Sequence, residues 1–167
     1  MTKSSKYPDL QFISFYLDER MYGFDIKIVK EVNPNASIAL VPLSSHTIRG
    51  LVNIRGQVIL VMDIAVIFGA APRPVTEQSR LVMLKTTQEM RNLSNAGSDE
   101  PDTQKFSDKT IGFLVDSIGD VVTISESIIE PAPPHLADRA LPFIKGVANL
   151  DGEIMVILKA EALIHAY

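Results

Sequence analysis

The chain repeats itself, and this repetition limits the possible folds more than any other feature of the sequence. Residues 48–64 read IRGLVNIRGQVILVMDI, and residues 144–160 read IKGVANLDGEIMVILKA. Gly50, Asn53 and Gly56 recur in register as Gly146, Asn149 and Gly152, with apolar residues matching between them. Upstream, Tyr22-Gly23-Phe24 followed by Ile26 and Val32 is echoed more weakly by Ile111-Gly112-Phe113, Val115 and Val121. Two tandem copies of one fold unit explain the pattern. A single domain is expected over residues 10–164, with a first lobe over roughly 10–78 and a second over 79–164.

Within each copy the elements are short. Residues 10–17 are rich in β-formers, and Asp18-Glu19-Arg20 supplies a polar turn before residues 21–26. Residues 58–62 and 154–158 are continuous apolar runs, as expected of strands covered on both faces. Asp63 can cap a short helix over 64–68, ended by Gly69 and the prolines Pro72 and Pro74. Short strands punctuated by Gly and Pro, without regular strand–helix alternation, predict small barrels rather than a doubly wound sheet. The expected fold is therefore mainly β, with two five-stranded, barrel-like lobes and short helices. Residues 86–109 (TTQEMRNLSNAGSDEPDTQKFSDK) are polar and turn-forming, and predict a flexible hairpin insert between strands at 80–85 and 110–115. Three prolines stiffen the loop Pro131-Ala132-Pro133-Pro134. Residues 1–9 read as a disordered tail.

Composition excludes several function classes. The chain has no cysteine, which removes disulfides, thiol catalysis and thiolate metal sites. A formal net charge of −4 and no dense run of Lys or Arg argue against nucleic acid or an anionic membrane surface as the main partner. The longest apolar stretch, 58–71, is broken by Asp63 and falls short of the roughly 20 residues a spanning helix needs. The polar amino terminus carries no apolar signal core. A cytoplasmic protein without direct membrane insertion is the expectation.

No catalytic constellation emerges. His46, His135 and His165 are scattered, with no second ligand at metal-binding spacing, so no metal site is expected. Ser44, Ser45 and Ser117 lack a nucleophile-elbow context, and no phosphate-binding glycine loop occurs. Asp25, Asp63 and Asp116 could converge as acid/base carboxylates of a hydrolytic or ligand-binding barrel, though each also suits a turn, a cap or a strand edge. Met62, Met83 and Met155 sit in apolar runs as core filler. The expectation is a protein that is not an enzyme and takes no cofactor. One position breaks a local rule. The two matching hairpins turn at Arg55-Gly56 and Asp151-Gly152, and Asp suits a turn needing positive φ at both positions better than Arg does. The first copy either uses a different turn or keeps Arg55 for another purpose.

These residues resemble the CheW family of chemotaxis coupling proteins. The resemblance rests on Tyr22-Gly23-Phe24-Asp25-Ile26 with Val29-Lys30-Glu31-Val32, on Val41-Pro42, and on the run from Ile48 to Gly56. Gly112-Phe113-Leu114-Val115-Asp116-Ser117-Ile118, Ile129-Glu130-Pro131 and the run from Ile144 to Gly152 add to it, so that it covers residues 10–164. It implies two SH3-like five-stranded barrels sharing a hydrophobic core, and no catalysis. It also implies two partners: the regulatory domain of a CheA-type histidine kinase, and the cytoplasmic tip of methyl-accepting chemotaxis receptors, which docks between the lobes. A chemotaxis-like pathway for pili or development would use the same adaptor role. Carried onto matching positions, the receptor-binding residues are Val29, Glu31, Val32, Gly50 and Arg55, with Glu31 as the salt-bridge partner of Arg55. Asn53, Gly56, Asn149 and Gly152 shape the two turns. Two departures stand out: Lys159 occupies the place of the capping Asp63, and the 86–109 insert is longer than the family pattern. The chain ends soon after the second copy, so the receiver domain of the related CheV proteins is not expected.

Overall fold

The computed structural model describes residues 6–34, 38–42, 45–94, 106–136 and 139–166. Ten strands form two five-stranded sheets. In chain order they are β1 (Asp9–Leu17), β2 (Arg20–Asp25), β3 (Val29–Asn33), β4 (Ile48–Ile54) and β5 (Gln57–Asp63), then β6 (Arg80–Leu84), β7 (Ile111–Val115), β8 (Ser117–Ser125), β9 (Ile144–Leu150) and β10 (Glu153–Leu158). Among the described residues three short α-helices accompany them: α1 (Ile64–Ile67), α2 (Thr87–Ser94) and α3 (Ala160–Leu163).

The sheets run β8-β1-β2-β10-β9 and β3-β6-β7-β5-β4. With β1–β5 and β6–β10 as the two copies of the repeat, each sheet combines the first two strands of one copy with the last three strands of the other. The copies have exchanged strands. The division into 10–78 and 79–164 therefore describes the sequence repeat and not the lobes, because β1 and β2 pair with β8 and β10 rather than with β3 to β5. Four ladders join the copies: the parallel pairs β2–β10 and β5–β7 and the antiparallel pairs β1–β8 and β3–β6; the ladders within a copy are all antiparallel.

Three apolar clusters follow from this exchange. One fills the β1-containing sheet (Phe12, Met21, Ile124, Ala148, Met155, Ile157), and one fills the other (Val52, Ile54, Ile59, Val61, Leu81, Met83, Leu114). The largest lies between the sheets and includes Phe15, Phe24, Met62, Val82, Phe113, Leu158 and Leu163. Strand alternation explains the partition: Val61 and Ile157 point into their own sheets, while Met62 and Leu158 point into the shared core. Phe24 and Phe113, matching positions of the repeat, meet there at a ring separation of 5.6 Å. At about 1.5–3 kcal/mol for each fully buried large side chain, this core outweighs the surface ion pairs as a source of stability.

The repeat is also visible in details. Arg55-Gly56 and Asp151-Gly152 form the same turn, with φ of 52° and 82° in the first and 52° and 95° in the second. Asn53 Oδ1 accepts from the Gly56 amide at 3.0 Å, and Asn149 Oδ1 from the Gly152 amide at 2.9 Å. Arg55 thus adopts the left-handed conformation that Asp takes more readily. Asp63 caps α1 through the Ala65 and Val66 amides, whereas Lys159 makes no side-chain cap on α3.

Two further expectations need correction. The insert is not all irregular hairpin: α2 occupies its first third, with Thr87 and Met90 buried. Residues 95–105 lie outside the described residues. Nor does a disordered tail extend to residue 9, because β1 starts at Asp9 and the Pro8 carbonyl accepts from the Glu126 amide at 3.0 Å. Residues 1–5 of that tail lie outside the described residues.

Candidate functional site

The residues singled out from the sequence come together on one sheet. Val29, Glu31 and Val32 lie on β3 and Gly50 on β4, the two terminal strands of that sheet, while Arg55 heads the β4–β5 turn. The Arg55 guanidinium donates from Nη2 to Glu31 Oε2, so an ion pair joins the two ends of the strand order. The sheet is curled enough for its edges to meet. The Arg55 hydrogen bond holds the Glu31 carboxyl below the ordinary glutamate range despite partial burial, helped by Asn33 and Lys30. Arg55 stays 69% exposed, so a partner can reach its guanidinium.

Val29 and Val32 are half-buried and pack against the core shared by the sheets. Gly50 contributes no contacting side chain. Its φ is +150°, and a Cβ there would stand 2.1 Å from the Ala39 carbonyl oxygen. That close approach lets Ala39 and Leu51 exchange two backbone hydrogen bonds of 2.9 Å, which continue the sheet beyond β4. Gly50 therefore shapes this surface through its backbone. Gly146 does the same in the other sheet, beside the Glu130–Val147 bridge.

Several residues around this surface were not singled out from the sequence. The register of β3 on β6 slips between Val29 and Glu31, leaving Lys30 as an extra residue. Lys30 Nζ lies 2.6 Å from Glu89 Oε1 on α2. Burial works against the Glu89 carboxyl, but Lys30 and the Thr86 amide outweigh it and hold its pKa below the ordinary value. The signal for α2 was the spacing Thr86-x-x-Glu89, which forms a reciprocal capping box: Thr86 N donates to Glu89 Oε2 at 2.8 Å, and Glu89 N to Thr86 Oγ1 at 3.3 Å. Arg73 carried no signal at all. It reaches Asp116 through Nε (3.1 Å) and Nη2 (2.9 Å), also pairs with Asp18, and donates its backbone amide to Asp63 at 2.9 Å.

The three aspartates weighed as acid/base groups are all engaged in this way. Asp25 accepts from the Lys27 amide at 2.9 Å, Asp116 is clamped by Arg73, and Asp63 is a buried helix cap. Burial raises the Asp63 carboxyl pKa, against the pull of the amides it accepts from and of Arg49. The cavity of about 220 Å³ that Asp25 lines includes neither Asp63 nor Asp116. Among the described residues no cluster of three His, Asp or Glu side chains is placed to hold a metal. No helix among them is long and apolar enough to cross a membrane.

Comparison with known proteins agrees with this fold. A family model described as CheW-like domain matches residues 11–167. A probable chemotaxis protein CheW of Rhizobium etli is 24% identical over 161 residues, covering 96% of this chain and 91% of that one. The chemotaxis protein CheW of Thermotoga maritima is 26% identical, covering 93% and 88%. Among solved structures, the scaffolding protein TtCheW of Thermoanaerobacter tengcongensis superposes with a TM-score of 0.70 at 28% identity, over 95% of this chain and 90% of that one. With two five-stranded sheets, a shared core and a family match over nearly its whole length, the chain belongs to the CheW family of non-enzymatic chemotaxis scaffolds.

Proposed function

We propose that the chain is an adaptor that couples the cytoplasmic tip of methyl-accepting chemotaxis receptors to the regulatory domain of a CheA-type histidine kinase, in arrays beneath the membrane. The observation that carries this reading is the Glu31–Arg55 pair on the seam between β3 and the β4–β5 turn, beside the half-buried Val29 and Val32. Partly exposed valines on β3 and an exposed, oriented guanidinium nearby suit contact with a partner helix. Each interface in such an assembly needs only modest affinity, on the order of micromolar, because many linked contacts add avidity.

Signalling through a scaffold is a matter of geometry: the adaptor holds the kinase where a small receptor movement biases it. The test is kinase autophosphorylation reconstituted with receptor, kinase and this protein. Arg55→Glu reverses the charge at this position and should remove receptor control while the variant keeps its fold. Receptor control that survives in a folded Arg55→Glu protein contradicts the assignment.

A further inference from the structure

We propose that Lys30 and Glu89 are positioning residues for the Glu31–Arg55 pair, with α2 clamped to the bulge of β3 so that Glu31 faces Arg55. The functional part of this inference rests on the receptor-binding reading of that surface.

β3 is a terminal strand of its sheet, and its ladder with β6 is interrupted at Lys30. A bulged edge strand is poorly fixed by its own ladder. The stiffness comes from the neighbouring insert. The two oxygens of Glu89 have separate tasks: Oε1 takes the Lys30 ammonium at 2.6 Å, and Oε2 closes the capping box of α2. The helix is in turn pinned by the buried Met90 and by Thr87, whose amide and hydroxyl donate to the Ser107 and Phe106 carbonyls at 2.9 and 3.0 Å. Lys85, just before α2, donates its amide to the Ile28 carbonyl at 2.9 Å and its ammonium to the Lys27 carbonyl at 2.7 Å. A continuous path of bonds thus runs from the returning segment through α2 and Glu89 to Lys30. The next residue is Glu31. On the other side Arg55 is held by its own turn, which Asn53 closes. Both halves of the ion pair are fixed in advance, one by the turn and one by the insert.

Glu89→Gln is the informative variant, because glutamine still serves a capping box while the ion pair to Lys30 is lost. The first readout is the side-chain carboxyl titration of Glu31, followed by NMR. Loss of positioning weakens the Arg55 hydrogen bond, so Glu31 should titrate closer to the ordinary glutamate range. Through-space electrostatics alone predicts the opposite sign, since removing a neighbouring carboxylate lowers the pKa of the one that remains. The second readout is calorimetric binding of a receptor-derived helical hairpin, expected to weaken about threefold, as befits an indirect contact. Lys30→Arg keeps a cation at the bulge and should leave both readouts near the native values. A Glu31 titration that stays in place or moves down in Glu89→Gln overturns the inference, whatever the hairpin does. Arg55→Ala is the control for the functional reading: if it leaves hairpin binding intact, that reading falls, and the positioning inference is then judged on the Glu31 titration.

Discussion

The Arg55 guanidinium and the Glu31 carboxylate meet across the seam of one barrel, linking the tip of the β4–β5 turn to the middle of β3. The pair is largely exposed on the Arg55 side and solvent-screened, so its direct contribution to stability is below about 1 kcal/mol. Arg55→Ala should therefore unfold in denaturant near the native midpoint while losing affinity for a receptor hairpin. The small stabilising term has a defined pH dependence. Because the folded Glu31 pKa is depressed, the term is present above the unfolded value and is lost as pH falls through the folded one. The midpoint difference between native protein and Arg55→Ala should shrink in that acid window.

Arg73 is the counterpart of this pair between the two sheets. Its guanidinium links the β1–β2 turn, through Asp18, to the β7–β8 crossover, through Asp116. Arg73 and Asp116 are each little exposed, and removing the guanidinium leaves two carboxylates facing one another. Arg73→Ala should cost about 1–3 kcal/mol in equilibrium unfolding. Arg73→Lys should recover only part of it, since an ammonium cannot reproduce the two-pronged contact with Asp116. Equal stability of Arg73→Ala and native protein would show that the clamp is idle.

Gly50 and Gly56 both have positive φ, yet they should respond differently to alanine. At Gly56 nothing lies within 4 Å of the added carbon, so only backbone strain of about 1 kcal/mol is expected. At Gly50 the carbon would collide with the Ala39 carbonyl, break the Ala39–Leu51 bridge and cost about 2–4 kcal/mol. Thermal melting of the two variants compares them directly.

Strand exchange predicts that neither copy of the repeat folds alone. A fragment of residues 1–78 has β1 and β2 without β8 to β10, and β3 to β5 without β6 and β7. It should show no cooperative melting by circular dichroism, and mixing it with the fragment 79–167 should restore β structure. A 1–78 fragment that melts cooperatively by itself contradicts the exchanged topology.

Much of this architecture was legible in the sequence, because a repeat constrains matching positions twice. The turn glycines, the asparagines that close the turns, the Asp63 cap and the doubly buried β5 and β10 follow from the paired motifs. Pairing partners did not follow: a repeat says which strands are equivalent, not which copy each one bonds to. α2 was hidden by the polar composition of its segment, although Thr86-x-x-Glu89 marked its start. Arg73 stands between prolines with no periodic context, and its partners are 43 and 55 residues away in sequence. At the site, Glu31 and Arg55 were named by resemblance, whereas Lys30 and Glu89 needed the bulge and the helix to be seen.

The most direct test of the adaptor reading is calorimetric titration of this protein against the isolated regulatory domain of a chemotaxis kinase from the same organism. The account predicts saturable one-to-one binding, with a dissociation constant on the order of micromolar. No binding to any such kinase domain encoded in that genome would contradict the coupling role and leave only the barrel scaffold.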